Sequence, residues 1–228
     1  MPQLQDMLPL KPHPEKHLPC IILADCSNSM AGAPIAELNQ GLVEFGKALR
    51  DDPIALSRIE VCIISFADGV KTELDFCSVE DYHAPALTAG GLAAFNEALS
   101  IALDQIDARK LECRQLGTPY YRPWLFVLAD GSPTDDHLEA DTRDRFRDYI
   151  ANKKVNYIPL GIGNASIPHL QSYYPQSVGR KPALKANQTN FKEVFSWLAA
   201  SIVAICKADS TSGTIESAPV PSTITLIR

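Results

Sequence analysis

Residues 18–29 read LPCIILADCSNS, an uninterrupted apolar run that ends in an aspartate and two serines. Continuous apolarity without alternation is typical of a strand covered on both faces, as in a parallel sheet between two layers of helices. Asp25, Ser27 and Ser29 therefore follow the carboxyl end of a predicted central strand. Open α/β sheets bind their ligands at that edge, so this stretch predicts a binding site as well as a strand.

Similar apolar runs recur along the chain and alternate with segments of helical periodicity. The predicted buried strands are Leu18–Ala24, Ile59–Phe66, Trp124–Ala129 and Val155–Ile162. The predicted helices are Pro34–Arg50, Gly91–Arg114, Asp136–Asn152 and Asn190–Lys207. This alternation predicts a doubly wound α/β fold, in which a mostly parallel sheet has helices on both faces.

Val70–Phe76 is a further predicted strand, but of a different kind. It follows the Ile59–Phe66 strand after only Ala67, Asp68 and Gly69, a turn too short to hold a crossover helix. Strands joined by such a turn pair antiparallel. The sequence therefore predicts one antiparallel strand at an edge of the sheet.

The chain divides into three predicted parts. Residues 18–207 form one domain, residues 1–17 precede it as an N-terminal extension, and residues 208–228 follow it as a tail. The tail is rich in Ser, Thr and Pro, which predicts a flexible segment. The alternative is that its β-prone end, Thr223–Arg228, adds to an edge of the sheet.

Composition argues against several classes of protein. The net charge of −6 and the pI near 5.4 provide no basic surface for nucleic acid. No apolar run approaches the roughly 18–20 residues of a membrane-spanning helix, and the first residues lack the apolar core of a signal peptide. The six cysteines have no zinc-site spacing. We expect a cytoplasmic protein that binds neither nucleic acid nor membranes.

A second carboxylate is expected beside the first site. The Trp124–Ala129 strand ends in Asp130-Gly131-Ser132, and the carboxyl ends of parallel strands meet at one edge of a sheet. Asp130 should therefore lie near Asp25 and the two serines, where hard oxygen donors suit Mg²⁺. The alternative is purely structural: the serines cap the next helix, and Asp25 accepts hydrogen bonds from loop amides.

These residues resemble a known family. Asp25-x-Ser27-x-Ser29, with a later strand ending in Asp130-Gly131, resembles the metal-ion-dependent adhesion site (MIDAS) of von Willebrand factor type A (VWA) domains. The phrases DCSNSMAGAPIAELNQGL and YYRPWLFVLADGSPTD resemble the bacterial cytoplasmic branch that includes TerY-like tellurium-resistance proteins. The resemblance implies a Rossmann-like sheet with Mg²⁺ or Mn²⁺ bound directly by Ser27 and Ser29. It implies that Asp25 and Asp130 act through water or orient the ligands.

The sequence departs from the family pattern within LTAGGLAAFNEAL, residues 87–99. The family register places Ala93 where a threonine binds the metal, and Asn96 where glycine is usual. Ala93 has no side-chain oxygen, so we expect metal binding to be weak or absent. Thr88 is the alternative donor, or else a loop or capping residue. The predicted rim for a partner consists of Asn28, Gly91, Ala93 and Ser132.

The resemblance implies a non-catalytic module whose protein partner offers an Asp or Glu to the metal. TerY-like relatives are associated with a protein kinase and a phosphatase, which implies a scaffold or adaptor in stress signalling and a Ser/Thr kinase or phosphatase as partner. The alternative is a Mg²⁺-dependent phosphohydrolase with Asp25 as nucleophile. Such enzymes need a second aspartate two residues on, where this chain has Ser27. We therefore expect no catalytic activity.

Overall fold

The computed structural model describes residues 15–130, 133–178, 183–186, 191–208, 219–222 and 224–227. Seven strands in these ranges form one sheet, flanked by six α-helices. The strands are β1 (Leu18–Asp25), β2 (Ile59–Phe66), β3 (Val70–Ser78), β4 (Trp124–Ala129), β5 (Asn156–Ile162), β6 (Ala183–Ala186) and β7 (Ile224–Ile227). The helices are α1 (Ala33–Arg50), α2 (Pro53–Arg58), α3 (Phe95–Leu116), α4 (Glu139–Ala151), α5 (Ile167–Ser172) and α6 (Phe191–Lys207). None of the described helices is long and apolar enough to cross a bilayer.

The strand order is β3-β2-β1-β4-β5-β6-β7. Strand β1 is parallel to β2 on one side and to β4 on the other. The chain therefore reverses its winding direction between β1 and β4. Such a reversal leaves a crevice at the carboxyl ends of the two strands, where doubly wound sheets bind ligands. This arrangement confirms the predicted fold class.

Both faces of the sheet are covered, as the continuous apolar runs predicted. Every residue of β1, β2 and β4 is buried. On one face Ile22 belongs to a core that includes Phe45 of α1 and Phe195 of α6. On the other face Ile21 belongs to a core with Leu103 of α3 and Phe146 of α4.

Strand β3 confirms the predicted antiparallel edge, since it pairs antiparallel with β2. The opposite edge carries a second antiparallel strand, because β7 pairs with β6 from Ala186↔Ile224 to Ala183↔Ile227. The sequence predicted a flexible tail from residue 208, with an edge strand at Thr223–Arg228 as the alternative, and Ile224–Ile227 follow that alternative. Ile224 is buried, and the pairing satisfies backbone groups that an open sheet edge would expose.

The division of the chain into an extension, a domain and a tail stays a prediction, because few residues outside 18–207 are described. Residues 1–14 and 209–218 lie outside the described ranges. Within the predicted extension, Arg58 Nε donates to Glu15 Oε2 at 3.0 Å. The backbone of His17 bonds to Pro119 and Tyr121, so the end of this extension lies against the domain.

Three helices differ from the prediction. Helices α2 and α5 were not among the predicted helices, and residues 51–58 were expected to lie outside any helix. Instead Asp52 begins a new one: its side chain accepts hydrogen bonds from the Ile54 and Ala55 amides, and proline suits the first turn. Helix α3 begins at Phe95 rather than Gly91, because Gly91 has a φ of 77° and Ala94 has a ψ of 60°, neither of which is helical.

Candidate metal centre

The four predicted ligands meet at the crevice between β1 and β4. Ser27 Oγ lies 2.9 Å from Ser29 Oγ, and Ser29 Oγ donates to Asp130 Oδ1 at 2.6 Å. The Asp130 amide donates to Asp25 Oδ2 at 3.3 Å, and the Ser27 amide donates to Asp25 Oδ1 at 2.9 Å. These contacts close a ring, which we call the oxygen ring. It holds two carboxylates and two hydroxyls.

The oxygen ring is buried on one side and open on the other. Asp25 is 1% exposed, while Ser27 and Asp130 are each 5% exposed. Ser29 is exposed. Both oxygens of Asp25 accept backbone hydrogen bonds, an arrangement that suits a residue orienting the two loops. Access from solvent is therefore through Ser29.

The negative charge of the oxygen ring is unfavourable because its carboxylates are buried. Burial raises the pKa of Asp25, hydrogen bonds from Ser27 lower it, and the nearby Asp130 carboxylate raises it again, with a net upward shift. Ionised carboxylates this close repel each other in a buried site. A bound cation would offset that repulsion, because metal ions are often the largest charges in such a site.

The donors fit a divalent cation that accepts hard oxygen ligands. The described residues contain no cluster of three or more His, Cys, Asp or Glu side chains that could hold a metal. An ion at the oxygen ring must therefore use hydroxyl as well as carboxylate oxygens, and Mg²⁺ and Mn²⁺ accept both. The exposed side of the ring leaves room for water or a partner's ligand.

The loop before α3 passes directly beside the loop that follows β1. The Gly90 amide donates to the Cys26 carbonyl at 2.8 Å, and the Asn28 amide donates to the Gly91 carbonyl at 3.1 Å. Ala93 follows in the same loop and is 5% exposed. The loop that carries Ala93 therefore lies against the loop that carries Ser27 and Ser29.

The other predicted residues take different positions. Thr88 is exposed, and no hydrogen bond within the described ranges joins its side chain to the oxygen ring. Asn28 is exposed at the predicted rim, and Gly91 is partly buried. Ala93 lies beneath the rim because it is buried, so it offers a partner little surface. Ser132 lies outside the described residues.

Sequence reasoning missed a polar network beside the ring, which we call the α3 clamp. The Ala93 amide donates to Thr134 Oγ1 and the Thr134 amide donates to the Ala93 carbonyl, both at 3.0 Å. Asp135 accepts from Asn96 Nδ2 at 3.0 Å and from the Glu97 amide at 2.9 Å. The departure from glycine at Asn96 was the one sequence signal that pointed to this network.

Comparison with known proteins identifies the fold. No protein-family model and no curated protein matches the sequence. The structure of a von Willebrand factor type A protein from Catenulispora acidiphila matches 83% of this chain and 43% of that chain, with a TM-score of 0.57 and 16% identity. The vWF domain of the type V pili tip protein Mfa5 from Porphyromonas gingivalis matches 88% of this chain and 98% of that domain, with a TM-score of 0.60 and 9% identity.

The chain has the VWA fold. Proximal thread matrix protein 1 from the mussel byssus, solved with a zinc-occupied MIDAS motif, matches 81% of this chain with a TM-score of 0.54 and 16% identity. This chain spans 48% of that protein, so it corresponds to about half of the longer structure. The oxygen ring therefore lies in a VWA fold, and one VWA neighbour carries a divalent metal in its MIDAS motif.

Proposed function

We propose that this chain is a non-catalytic, cytoplasmic VWA module that binds a protein partner through a divalent cation at the oxygen ring. One observation supports this proposal most directly. Hydrogen bonds join Asp25, Ser27, Ser29 and Asp130 at the crevice where the sheet reverses its winding. The exposed side, at Ser29, is where a partner would approach.

Each ring residue has a distinct proposed role. The hydroxyls of Ser27 and Ser29 would bind the ion directly, while Asp25 and Asp130 would act through water or orient the ligands. The ion supplies a positive charge that attracts an Asp or Glu of the partner. Mg²⁺ and Mn²⁺ are the proposed ions, because all four side chains offer hard oxygens. Ala93 adds no oxygen, so we expect low affinity.

The buried side chains of the motif support a binding role over a catalytic one. Asp25 is 1% exposed, and both its oxygens accept backbone hydrogen bonds, which disfavours the alternative role as a phosphohydrolase nucleophile. Burial raises the pKa of Cys26 to about 12, and Asp25 adds to the shift. That thiol is protonated at neutral pH and is therefore a poor nucleophile.

The proposed partner is a Ser/Thr kinase or phosphatase, for which the chain would act as a scaffold or adaptor in a bacterial stress response. The support is the resemblance of two sequence phrases, around Asp25 and Asp130, to TerY-like tellurium-resistance proteins. The acidic composition supports the further expectation that neither nucleic acid nor a membrane is a partner.

Calorimetric titration with Mg²⁺ and Mn²⁺ tests the site. We expect weak, saturable binding that disappears in Ser27→Ala and tightens in Ala93→Thr, which adds the family's hydroxyl. Ser196→Ala is the matched control, because this exposed serine lies on α6. Absence of binding in both the native chain and Ala93→Thr would reject the metal site. Phosphate release from a generic ester that is lost in Asp25→Asn would reject the non-catalytic role.

A further inference from the structure

We infer that Thr134 supplies the third hydroxyl of the metal centre, in place of the side chain missing at Ala93. The inference rests on the proposed metal-binding function and assigns it one more ligand. Two hydrogen bonds of 3.0 Å join these residues, one from the Ala93 amide to Thr134 Oγ1 and one from the Thr134 amide to the Ala93 carbonyl. The Thr134 hydroxyl is thereby held against the residue that lacks an oxygen of its own.

Thr134 has the capacity to bind an ion while it keeps this contact. A threonine hydroxyl has two lone pairs and one proton. Within the described part of the chain, the Ala93 amide is its only hydrogen-bond partner, which leaves a lone pair for a cation. Thr134 is exposed, so this residue is accessible to solvent and to an approaching partner.

The chain position of Thr134 supports the assignment. It lies in the segment that follows β4 and begins with Asp130, a member of the oxygen ring. A single loop would then contribute a carboxylate and a hydroxyl to one ion. Thr88, the alternative donor considered from the sequence, makes no hydrogen bond to Ala93 among the described residues, whereas Thr134 makes two.

The rest of the α3 clamp fixes the loop that carries Thr134. Asp135 is 7% exposed, and its two carboxylate oxygens accept hydrogen bonds from Asn96 and from the Glu97 amide. Asn96 is fully buried and accepts from the Tyr173 hydroxyl at 2.6 Å. Fixed outer contacts of this kind orient the residues that bind a metal. The unusual residues Ala93 and Asn96 therefore both contact the loop that carries the new donor.

The test uses the full chain, with Mg²⁺ or Mn²⁺ alone as the probe. In calorimetry we expect Thr134→Val to weaken binding on the order of tenfold, Thr134→Ser to retain it, and Thr88→Val to leave it unchanged. Adding Ala93→Thr to Thr134→Val should restore affinity, because it returns a hydroxyl to the position that the family uses. Metal-free thermal unfolding shows whether each variant is folded.

A second readout separates a ligand from a structural residue. Water-proton relaxation by bound Mn²⁺ should rise in Thr134→Val, because a water replaces the lost hydroxyl, and return to the native value in Thr134→Ser. Native affinity in Thr134→Val, or weaker binding without a gain in relaxation, would overturn the inference. Native binding that is unchanged in Ser27→Ala would instead reject the proposed metal function. Binding by Ala93→Thr alone would keep the site and reject Thr134 as its donor.

Discussion

Gly91 lies where the loop before α3 passes the loop after β1. Its carbonyl accepts a hydrogen bond from the Asn28 amide at 3.1 Å, and its φ is 77°, a left-handed conformation. A Cβ at this position would lie 2.5 Å from both carboxylate oxygens of Asp68. The left-handed conformation therefore requires glycine, and an added Cβ would in addition displace the exposed Asp68 carboxylate.

Gly91→Ala should lower the free energy of unfolding by about 2 kcal/mol, because it strains the backbone and displaces Asp68. Gly90→Ala is the matched control, since a Cβ on that glycine meets no atom within 4 Å. Urea unfolding of both variants measures the difference. Equal stability of the two variants would show that the loop adapts without strain.

Single residues of the site differ in how far the sequence predicts them. Asp25, Ser27, Ser29 and Asp130 lie at or just after the end of a strand, and the edge of a parallel sheet brings such positions together. Thr134 lies in a loop, and its contact with Ala93 depends on how two loops dock. No periodic pattern encodes that docking, and Thr88 was the only substitute donor that the sequence suggested.

At the scale of secondary structure, α3 is capped by a residue from another loop. Its first turn follows Ala94, which has no side-chain acceptor, and Asp135 supplies the missing oxygens to Asn96 and to the Glu97 amide. A carboxylate is also favourable at a helix amino terminus because of the helix dipole. The clamp therefore joins the start of α3 to the loop after β4.

Asp135→Ala should lower the free energy of unfolding by about 2 kcal/mol, because it removes the carboxylate that accepts from the buried Asn96 side chain and from the Glu97 amide. The neighbouring Asp136 is exposed, and Asp136→Ala serves as the control. Thermal and urea unfolding provide the measurement. A loss of the same size in both variants would assign the effect to net charge rather than to the cap.

Element length explains which parts of the fold the sequence predicted. Strands β1 and β2 are runs of eight buried residues, long enough for continuous apolarity to identify them. Strands β6 and β7 have only four residues each, too few for a recognisable pattern. Their pairing depends on tertiary contacts between distant parts of the chain. Helix α2 was missed because Pro53 is compatible with either the end or the start of a helix.

At the scale of the whole molecule, the two ends of the sheet carry different groups of polar residues. The carboxyl end carries the oxygen ring, and the amino end carries a buried ionic cluster around Glu60, which is 6% exposed. His17 Nδ1 lies 2.8 Å from Glu60 Oε1, and Arg109 Nε donates to Glu60 Oε2 at 2.8 Å. Since Arg109 lies in α3, this helix connects the clamp at one end of the sheet to the ionic cluster at the other.

The ionic cluster should make global stability depend on pH. Burial alone would raise the pKa of Glu60, but hydrogen bonds from His17 and Arg109, and the Arg109 charge, hold it below its ordinary value. A carboxyl whose pKa is lower in the folded state contributes stability that is present above the unfolded pKa. This contribution is lost as the pH falls through the folded pKa. Native Glu60 therefore stabilises the fold at neutral pH and progressively less in acid.

Glu60→Gln should cost about 3 kcal/mol at neutral pH, the lower end of the range for breaking a buried ion pair, because Arg109 keeps Glu112 as a partner. The difference from the native chain should shrink at about pH 3, below the ordinary pKa of glutamate near 4.3. Urea unfolding at both pH values measures it, with the exposed Glu80→Gln as control. A difference that stays constant with pH would mean that Glu60 contributes through shape and hydrogen bonding instead of through its charge.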